Sequence, residues 1–180
     1  MKLFGKWQKE EKKATPEKSA FGTEATGESV ESAVFAQQTV GQNRKILVVD
    51  DNQVVLKAFD LKLKALGFQV LTADDGGSAV SVARQERPDL IVLDINFPPD
   101  VGSSGLQWDG FTIMQWMQRF QELADTPVII ITAGDPDKFK ARAIAAGAVA
   151  FFQKPINHED FLMAVRRTLS KPRAEKAKTA

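Results

Sequence analysis

Short apolar runs alternate with longer amphipathic segments along the central part of the chain. Five of the runs are short enough to be β-strands, and they cover residues 45–49, 69–73, 90–93, 128–131 and 150–153. The first, KILVV, has four apolar residues in succession, which is typical of a parallel strand that is covered on both faces. Because the segments between the runs have the length of helices, the pattern predicts parallel strands joined by crossover helices.

The helix-length segments carry start and stop signals. The first helix is expected to be capped by Asn52 and to stop at Gly67, with an inward face made by Val55, Phe59, Leu63 and Leu66. Further helices are predicted at residues 77–86, from 110 to about 123, at 136–146 and from 157 to about 170. Five strands alternating with five helices predict an α/β fold with a doubly wound parallel sheet. Periodicity does not give the strand order, but in the flavodoxin-like order 2-1-3-4-5 the first and third strands flank the ligand-binding crevice.

Composition limits the possible classes of function. The 180 residues suit one domain, predicted at 44–170, with a largely disordered extension at 1–43 and a short basic tail at 171–180. The formal net charge of +1 gives no electrostatic footprint for nucleic acid. Cysteine is absent, which excludes disulfides and thiolate chemistry, and His158 is the single histidine. No apolar stretch approaches the length of a transmembrane segment, so a cytoplasmic protein is expected.

Polar side chains stand where the predicted strands end. Asp50 and Asp51 follow the first strand, and Asp94 follows the third. The repulsion among three carboxylates in one crevice is relieved by a cation or by protonation, and carboxylate oxygens are ligands that Mg²⁺ prefers. Thr132 and Lys154 directly follow the fourth and fifth runs. The sequence therefore predicts a Mg²⁺ site beside a hydroxyl and an ammonium group that can hold a phosphoryl oxygen.

In order and spacing, the segments VVDDN, VLDINFP, DGF, IITAG, AIAAGA and FFQKP resemble the receiver domain of two-component response regulators, over residues 45–169. The resemblance implies a signalling phosphoprotein that is not an enzyme beyond its own phosphorylation and dephosphorylation. A histidine kinase, a phosphotransfer protein or a small phosphodonor would supply the phosphoryl group. The resulting aspartyl phosphate would switch partner binding and then be hydrolysed.

The resemblance also assigns the metal and acceptor roles. Asp94 matches the phosphoacceptor and also a Mg²⁺ ligand. Asp51 matches the direct Mg²⁺ ligand, and Asp50 the acid that reaches the metal through water. Asn96 matches the position whose backbone carbonyl completes the metal site.

Further roles concern switching and lifetime. Thr132 matches the switch hydroxyl, Lys154 the phosphate-holding lysine and Phe151 the aromatic residue that changes rotamer on activation. The resemblance implies a cis peptide bond before Pro155. It also implies that Asn96 and Gly134 tune the lifetime of the phosphoryl group, with Gly134 expected to leave one side of the site open.

The chain departs from the family in the long stretch at residues 99–108, PDVGSSGLQW, which lies between VLDINFP and DGF. Two interpretations remain: a tolerated surface insertion, or an element that contacts the kinase or shields the site. The residues after the last predicted helix are too few for a DNA-binding or catalytic module. A single-domain, chemotaxis-regulator-like protein is therefore expected. Its output would pass to a downstream protein at the switch face near the fourth and fifth strands, or along a phosphorelay.

Two other functions are compatible with this pattern. One is an unphosphorylated pseudo-receiver that serves as an interaction module, although such modules usually lack part of the acid, threonine and lysine set. The other is a Mg²⁺-dependent phosphohydrolase with an aspartate nucleophile. That enzyme would need a second acid two residues after its nucleophile, whereas Ile95 and Asn96 follow Asp94.

Overall fold

A computed structural model describes residues 43–96 and 109–170. The predictions for residues 1–42, 99–108 and 171–180 lie outside the described residues. Within the two described ranges, no helix is both long enough and apolar enough to cross a membrane.

The described residues form five strands and five helices in strict alternation. The strands are β1 (Lys45–Val49), β2 (Gln69–Ala73), β3 (Leu90–Asp94), β4 (Val128–Thr132) and β5 (Ala150–Gln153). The helices are α1 (Gln53–Ala65), α2 (Gly76–Glu86), α3 (Gly110–Arg119), α4 (Pro136–Ala145) and α5 (His158–Leu169). All strands pair in parallel in the order β2-β1-β3-β4-β5. This confirms the predicted flavodoxin-like, doubly wound sheet.

The alternation of side chains along β1 divides the core into two layers, one on each face of the sheet. Leu47 and Val49 belong to a buried layer that includes apolar residues of α2, α3 and α4. Ile46 and Val48 belong to the opposite layer, which α1 and α5 complete. All four side chains have no exposed surface, as expected for a strand with helices on both faces.

Two predicted helices differ from the observed ones in informative ways. Helix α3 ends at Arg119, and Phe120 has an extended backbone with φ −88° and ψ 121°, whereas the helix was expected to reach about residue 123. Leu123 is nevertheless buried, because a turn after the helix returns it to the core. In α1 the predicted inward residue Leu63 is fully buried, but Leu56, which was not predicted, is the other buried residue of that helix.

The helices that follow β1, β3 and β5 each begin at a polar residue that caps them. Asn52 accepts hydrogen bonds from two backbone amides of α1, which confirms the predicted cap, and Asn157 does the same for α5. Asp109 caps α3, accepting from both the amide and the hydroxyl of Thr112. The first turns of α1, α3 and α5 are therefore fixed near the edge where polar residues converge.

Candidate functional site

Four polar residues meet at the carboxyl edge of the sheet because each one ends a neighbouring strand. Asp94 and Thr132 are the last residues of β3 and β4, while Asp50 and Lys154 directly follow β1 and β5. Asp50 and Thr132 are fully buried, and Asp94 is 3% exposed. Burying two carboxylates this deeply is costly unless each is paired, so their partners decide what the site can do.

Lys154 is the cationic partner of both buried carboxylates. Its Nζ lies 2.6 Å from Oδ2 of Asp50 and 2.6 Å from Oδ2 of Asp94. The peptide bond between Lys154 and Pro155 is cis, as the resemblance implied. The backbone amide of Lys154 donates to the carbonyl of Thr132 at 2.7 Å, which ties the end of β5 to the end of β4. Two ion pairs of the side chain and one hydrogen bond of the backbone therefore hold Lys154 in the crevice.

The second oxygen of each buried carboxylate accepts a backbone amide. Oδ1 of Asp50 accepts from Asn52 at 3.0 Å, and Oδ1 of Asp94 accepts from Asn96 at 2.9 Å. Burial raises the pKa of Asp50, and the opposing hydrogen bonds from Lys154 and Asn52 only partly offset this effect. For Lys154, burial opposes the charged form, but hydrogen bonds to both carboxylates outweigh it and raise the pKa of the ammonium.

Asp51 completes a cluster of three carboxylates. One oxygen each of Asp50, Asp51 and Asp94 lies within 4.8 Å of the others, and Asp51 is exposed while the other two are buried. Carboxylate oxygens at this spacing suit a hard divalent cation, and the exposed member provides a route from solvent. The donor set therefore fits a divalent cation that shares Asp50 and Asp94 with Lys154 and adds Asp51.

The remaining predicted residues surround this cluster. Thr132 Oγ1 accepts a hydrogen bond from the Gly134 amide at 3.0 Å, so the hydroxyl hydrogen is left for a second partner. Asn96 is exposed, and its amide is bonded to Asp94. Phe151 is half-buried in β5 beside Ile130, where it packs against the α2, α3 and α4 layer. The structure thus brings the predicted residues to one edge of the sheet, except Phe151, which lies within β5 three residues before Lys154.

Gly134, which was expected to leave one side of the site open, lies beside the ring of Phe139. A Cβ atom placed on Gly134 would lie 2.6 Å from Cε2 and 2.9 Å from Cδ2 of the Phe139 ring, and 3.2 Å from Nδ2 of Asn96. The space that a side chain at Gly134 would use is therefore already filled. Phe139 lies in α4 and was not among the predicted site residues, since only the folded chain brings it to Gly134.

Gly110 was recognised only as part of a motif, and the structure gives its physical role. A Cβ on Gly110 would lie 2.5 Å from Cα of Ile95 and 2.6 Å from the backbone oxygen of Asp94. Those atoms belong to the backbone and cannot move aside easily. The first turn of α3 therefore rests directly on the end of β3, and only glycine permits this approach.

Comparison with known proteins places this arrangement in a family. A family model described as the response regulator receiver domain matches residues 46–166. The protein PilH of Pseudomonas aeruginosa is 33% identical over 126 residues, which cover 70% of this chain and 98% of PilH. The DNA-binding transcriptional regulator RpaA of Synechocystis is 33% identical over 125 residues, covering 69% of this chain and 48% of RpaA. Among solved structures, the chemotaxis response regulator CheY4 of Vibrio cholerae matches with a TM-score of 0.61 and 29% identity, over 71% of this chain and 99% of CheY4.

Proposed function

Because this chain belongs to the response regulator receiver domain family, we propose that it accepts a phosphoryl group on Asp94 in a Mg²⁺-dependent reaction. The donor is a sensor histidine kinase, a phosphotransfer protein or a small phosphodonor. Phosphorylation changes the affinity of a downstream protein for the switch face near β4 and β5, and hydrolysis ends the signal. The described domain acts through protein partners and does not bind DNA directly.

The contact between Lys154 and the two buried carboxylates carries this proposal. An ammonium 2.6 Å from both Asp50 and Asp94 places positive charge where an incoming phosphoryl group meets a carboxylate. Without such charge, two anions repel each other at the distance that bond formation requires. The cluster made by Asp50, Asp51 and Asp94 supports the metal part of the proposal.

Transfer exchanges one bond to phosphorus for another. An oxygen of Asp94 bonds to phosphorus while the bond between phosphorus and the donor breaks. The electron pair of the broken bond leaves with the donor. Lys154 keeps Asp50 as a partner and turns its other hydrogen bond to a phosphoryl oxygen, while the Thr132 hydroxyl donates to another. Asp50, Asp51, Asp94 and the backbone carbonyl of Asn96 would hold Mg²⁺, which would supply positive charge that offsets the negative phosphoryl oxygens. Phe151 follows the displacement of Thr132 by changing rotamer.

Incubation with a small phosphodonor such as acetyl phosphate tests the proposal directly. With Mg²⁺ the intact protein should gain the mass of one phosphoryl group, and without it the mass should stay unchanged. A mass that never changes would favour the alternative of an unphosphorylated interaction module. Turnover of a phosphomonoester substrate without retained phosphate on the protein would favour the phosphohydrolase.

Thr132→Ala should separate phosphorylation from switching. The variant keeps the carboxylates and Lys154, so it should take up phosphate at a rate within about threefold of wild type. It lacks the hydroxyl that follows the phosphoryl oxygen, so the change in near-ultraviolet circular dichroism on phosphorylation should be largely lost. Thr132→Ser, which restores the hydroxyl, is the matched control. An unchanged response in Thr132→Ala would contradict a switching role for this residue.

A fragment of residues 43–170 should fold and take up phosphate as the full chain does. Both core layers and the whole predicted site lie between Ile46 and Leu169. Cooperative thermal unfolding within a few degrees of the full chain, together with equal phosphate uptake, is the expected result. Loss of either property would show that the residues outside this range take part in the fold or in the reaction.

A further inference from the structure

We infer that Phe139 of α4 covers the Asn96 and Gly134 side of the site and thereby lengthens the life of phosphorylated Asp94. This inference rests on the proposed function. It assigns a shielding role to Phe139, which belongs neither to the sequence motifs nor to the carboxylate cluster. Its basis is the contact of the Phe139 ring with Gly134. Packing between α4 and α3 reinforces this contact.

The Phe139 ring occupies the place that a side chain at Gly134 would take. Two ring atoms lie 2.6 and 2.9 Å from the position of a Cβ on Gly134, and the side-chain nitrogen Nδ2 of Asn96 lies 3.2 Å from the same point. The ring and the side-chain amide of Asn96 therefore both border this point. A water molecule has no room between Gly134 and the ring, because the space is narrower than a water diameter.

Packing against α3 holds the ring in this place. The centroids of the Phe139 and Phe111 rings are 6.4 Å apart, and Phe111 is 3% exposed. The guanidinium of Arg142, also in α4, lies 3.8 Å from the centroid of the Phe111 ring, and its Nη2 is 3.8 Å from Oδ2 of Asp109. Since Gly110 follows Asp109 and rests on the backbone of Asp94, the ring is anchored to the element nearest the phosphoacceptor.

The two residues beside the ring are each one hydrogen bond from a reacting group. The backbone amide of Gly134 donates to Thr132 Oγ1, and the backbone amide of Asn96 donates to Asp94 Oδ1. The ring therefore borders two residues that are hydrogen-bonded to Asp94 and Thr132. We expect water that approaches a phosphoryl group on Asp94 between Asn96 and Gly134 to pass the edge of the ring.

Hydrolysis needs water at phosphorus. The water oxygen bonds to phosphorus, the bond between phosphorus and the Asp94 oxygen breaks, and the electron pair stays on the Asp94 carboxylate. The water releases a proton to solvent, and inorganic phosphate departs. Removal of the ring opens one approach for this water, so the dephosphorylation rate should rise while the chemistry of transfer stays the same.

The test is the decay of the phosphorylated protein after removal of the phosphodonor, at constant Mg²⁺. Phe139→Ala should shorten the half-life about fivefold, and Phe139→Leu should have a smaller effect because part of the space stays filled. Phe120→Ala is the matched control, since Phe120 is also a partly buried phenylalanine packed on the same core layer but lies under Arg84. Its half-life should stay within about twofold of wild type.

Two further measurements separate covering from general loosening. In the double variant Phe139→Ala with Gly134→Leu, the new side chain enters the vacated space and should restore at least half of the lost half-life. Deuterium exchange of the Gly134 amide should accelerate in Phe139→Ala and not in Phe120→Ala, with no phosphate present. Normal uptake with equal decay in wild type and Phe139→Ala would overturn the inference alone. Absence of uptake by the wild-type protein would contradict the proposed function and this inference with it.

Discussion

Asp94→Asn is expected to abolish phosphate uptake while the fold stays intact. The asparagine side chain has the same shape, and its oxygen can still accept the backbone amide of Asn96. It lacks the carboxylate oxygen that bonds to phosphorus, so uptake from acetyl phosphate should fall by at least about two orders of magnitude. Intact-protein mass measured over time, together with circular dichroism, would test both halves of this expectation.

Asp125→Asn provides the control for Asp94→Asn. Asp125 is exposed in the turn that follows α3 and is not part of the carboxylate cluster. The same chemical change at this position should leave uptake at the wild-type rate. If Asp94→Asn were labelled as fast as this control, Asp94 would not be the phosphoacceptor.

The second large effect is expected for Lys154→Ala. This substitution should change both the stability of the domain and the response of that stability to Mg²⁺. The substitution leaves the Asp50 and Asp94 side chains, which are 0% and 5% exposed, without their shared cation. Removing one partner of a buried ion pair costs about 3 kcal/mol or more, so the free energy of unfolding without Mg²⁺ should fall by about that amount. A divalent cation can replace the lost charge, so Mg²⁺ should raise the unfolding midpoint more in this variant than in wild type.

Lys64→Ala is the matched control for this experiment. The Nζ of Lys64 is also 2.6 Å from a carboxylate, Oδ1 of Asp60, but its side chain is 56% exposed. Water screens that pair, so its loss should change stability little and should not alter the response to Mg²⁺. Equal stability changes in Lys64→Ala and Lys154→Ala would show that Lys154 is not the main source of charge compensation for the buried carboxylates.

The Lys154→Ala variant should also bind its downstream partner poorly when phosphorylated, because the switch loses a phosphate contact.

The sheet was predictable because apolar runs and helix-length segments alternate over residues 45–169, apart from the stretch 99–108. The strand positions were right to within one residue, since β3 and β4 each extend by the polar residue that ends them. The end of α3 was not predictable from periodicity. Leu123 continues the apolar pattern of the helix, but it reaches the core through a turn in which its amide donates to the carbonyl of Phe120.

The acidic cluster was predictable for a related reason. Neighbouring parallel strands end at one edge, so residues at the ends of β1 and β3 had to converge once the strand order was assumed. The contact of Phe139 with Gly134 had no comparable signal. It depends on the position of α4 relative to the loop after β4, and a sequence pattern does not report the distance between a ring and a backbone.

The close approach of α3 to β3 has a consequence for engineering the chain. The Gly110 amide donates to the carbonyl of Ile95 at 3.3 Å, and the missing Cβ lets the two backbones touch. Ile95 and Gly110, the residues near the two ends of the segment 97–108, are therefore in direct backbone contact, and we expect that the length of this segment can change without moving the sheet. Because each doubling of a closed loop costs only about 0.6 kcal/mol, this segment is a suitable place to graft a peptide tag or a fluorescent reporter beside Asp94, the proposed phosphoacceptor.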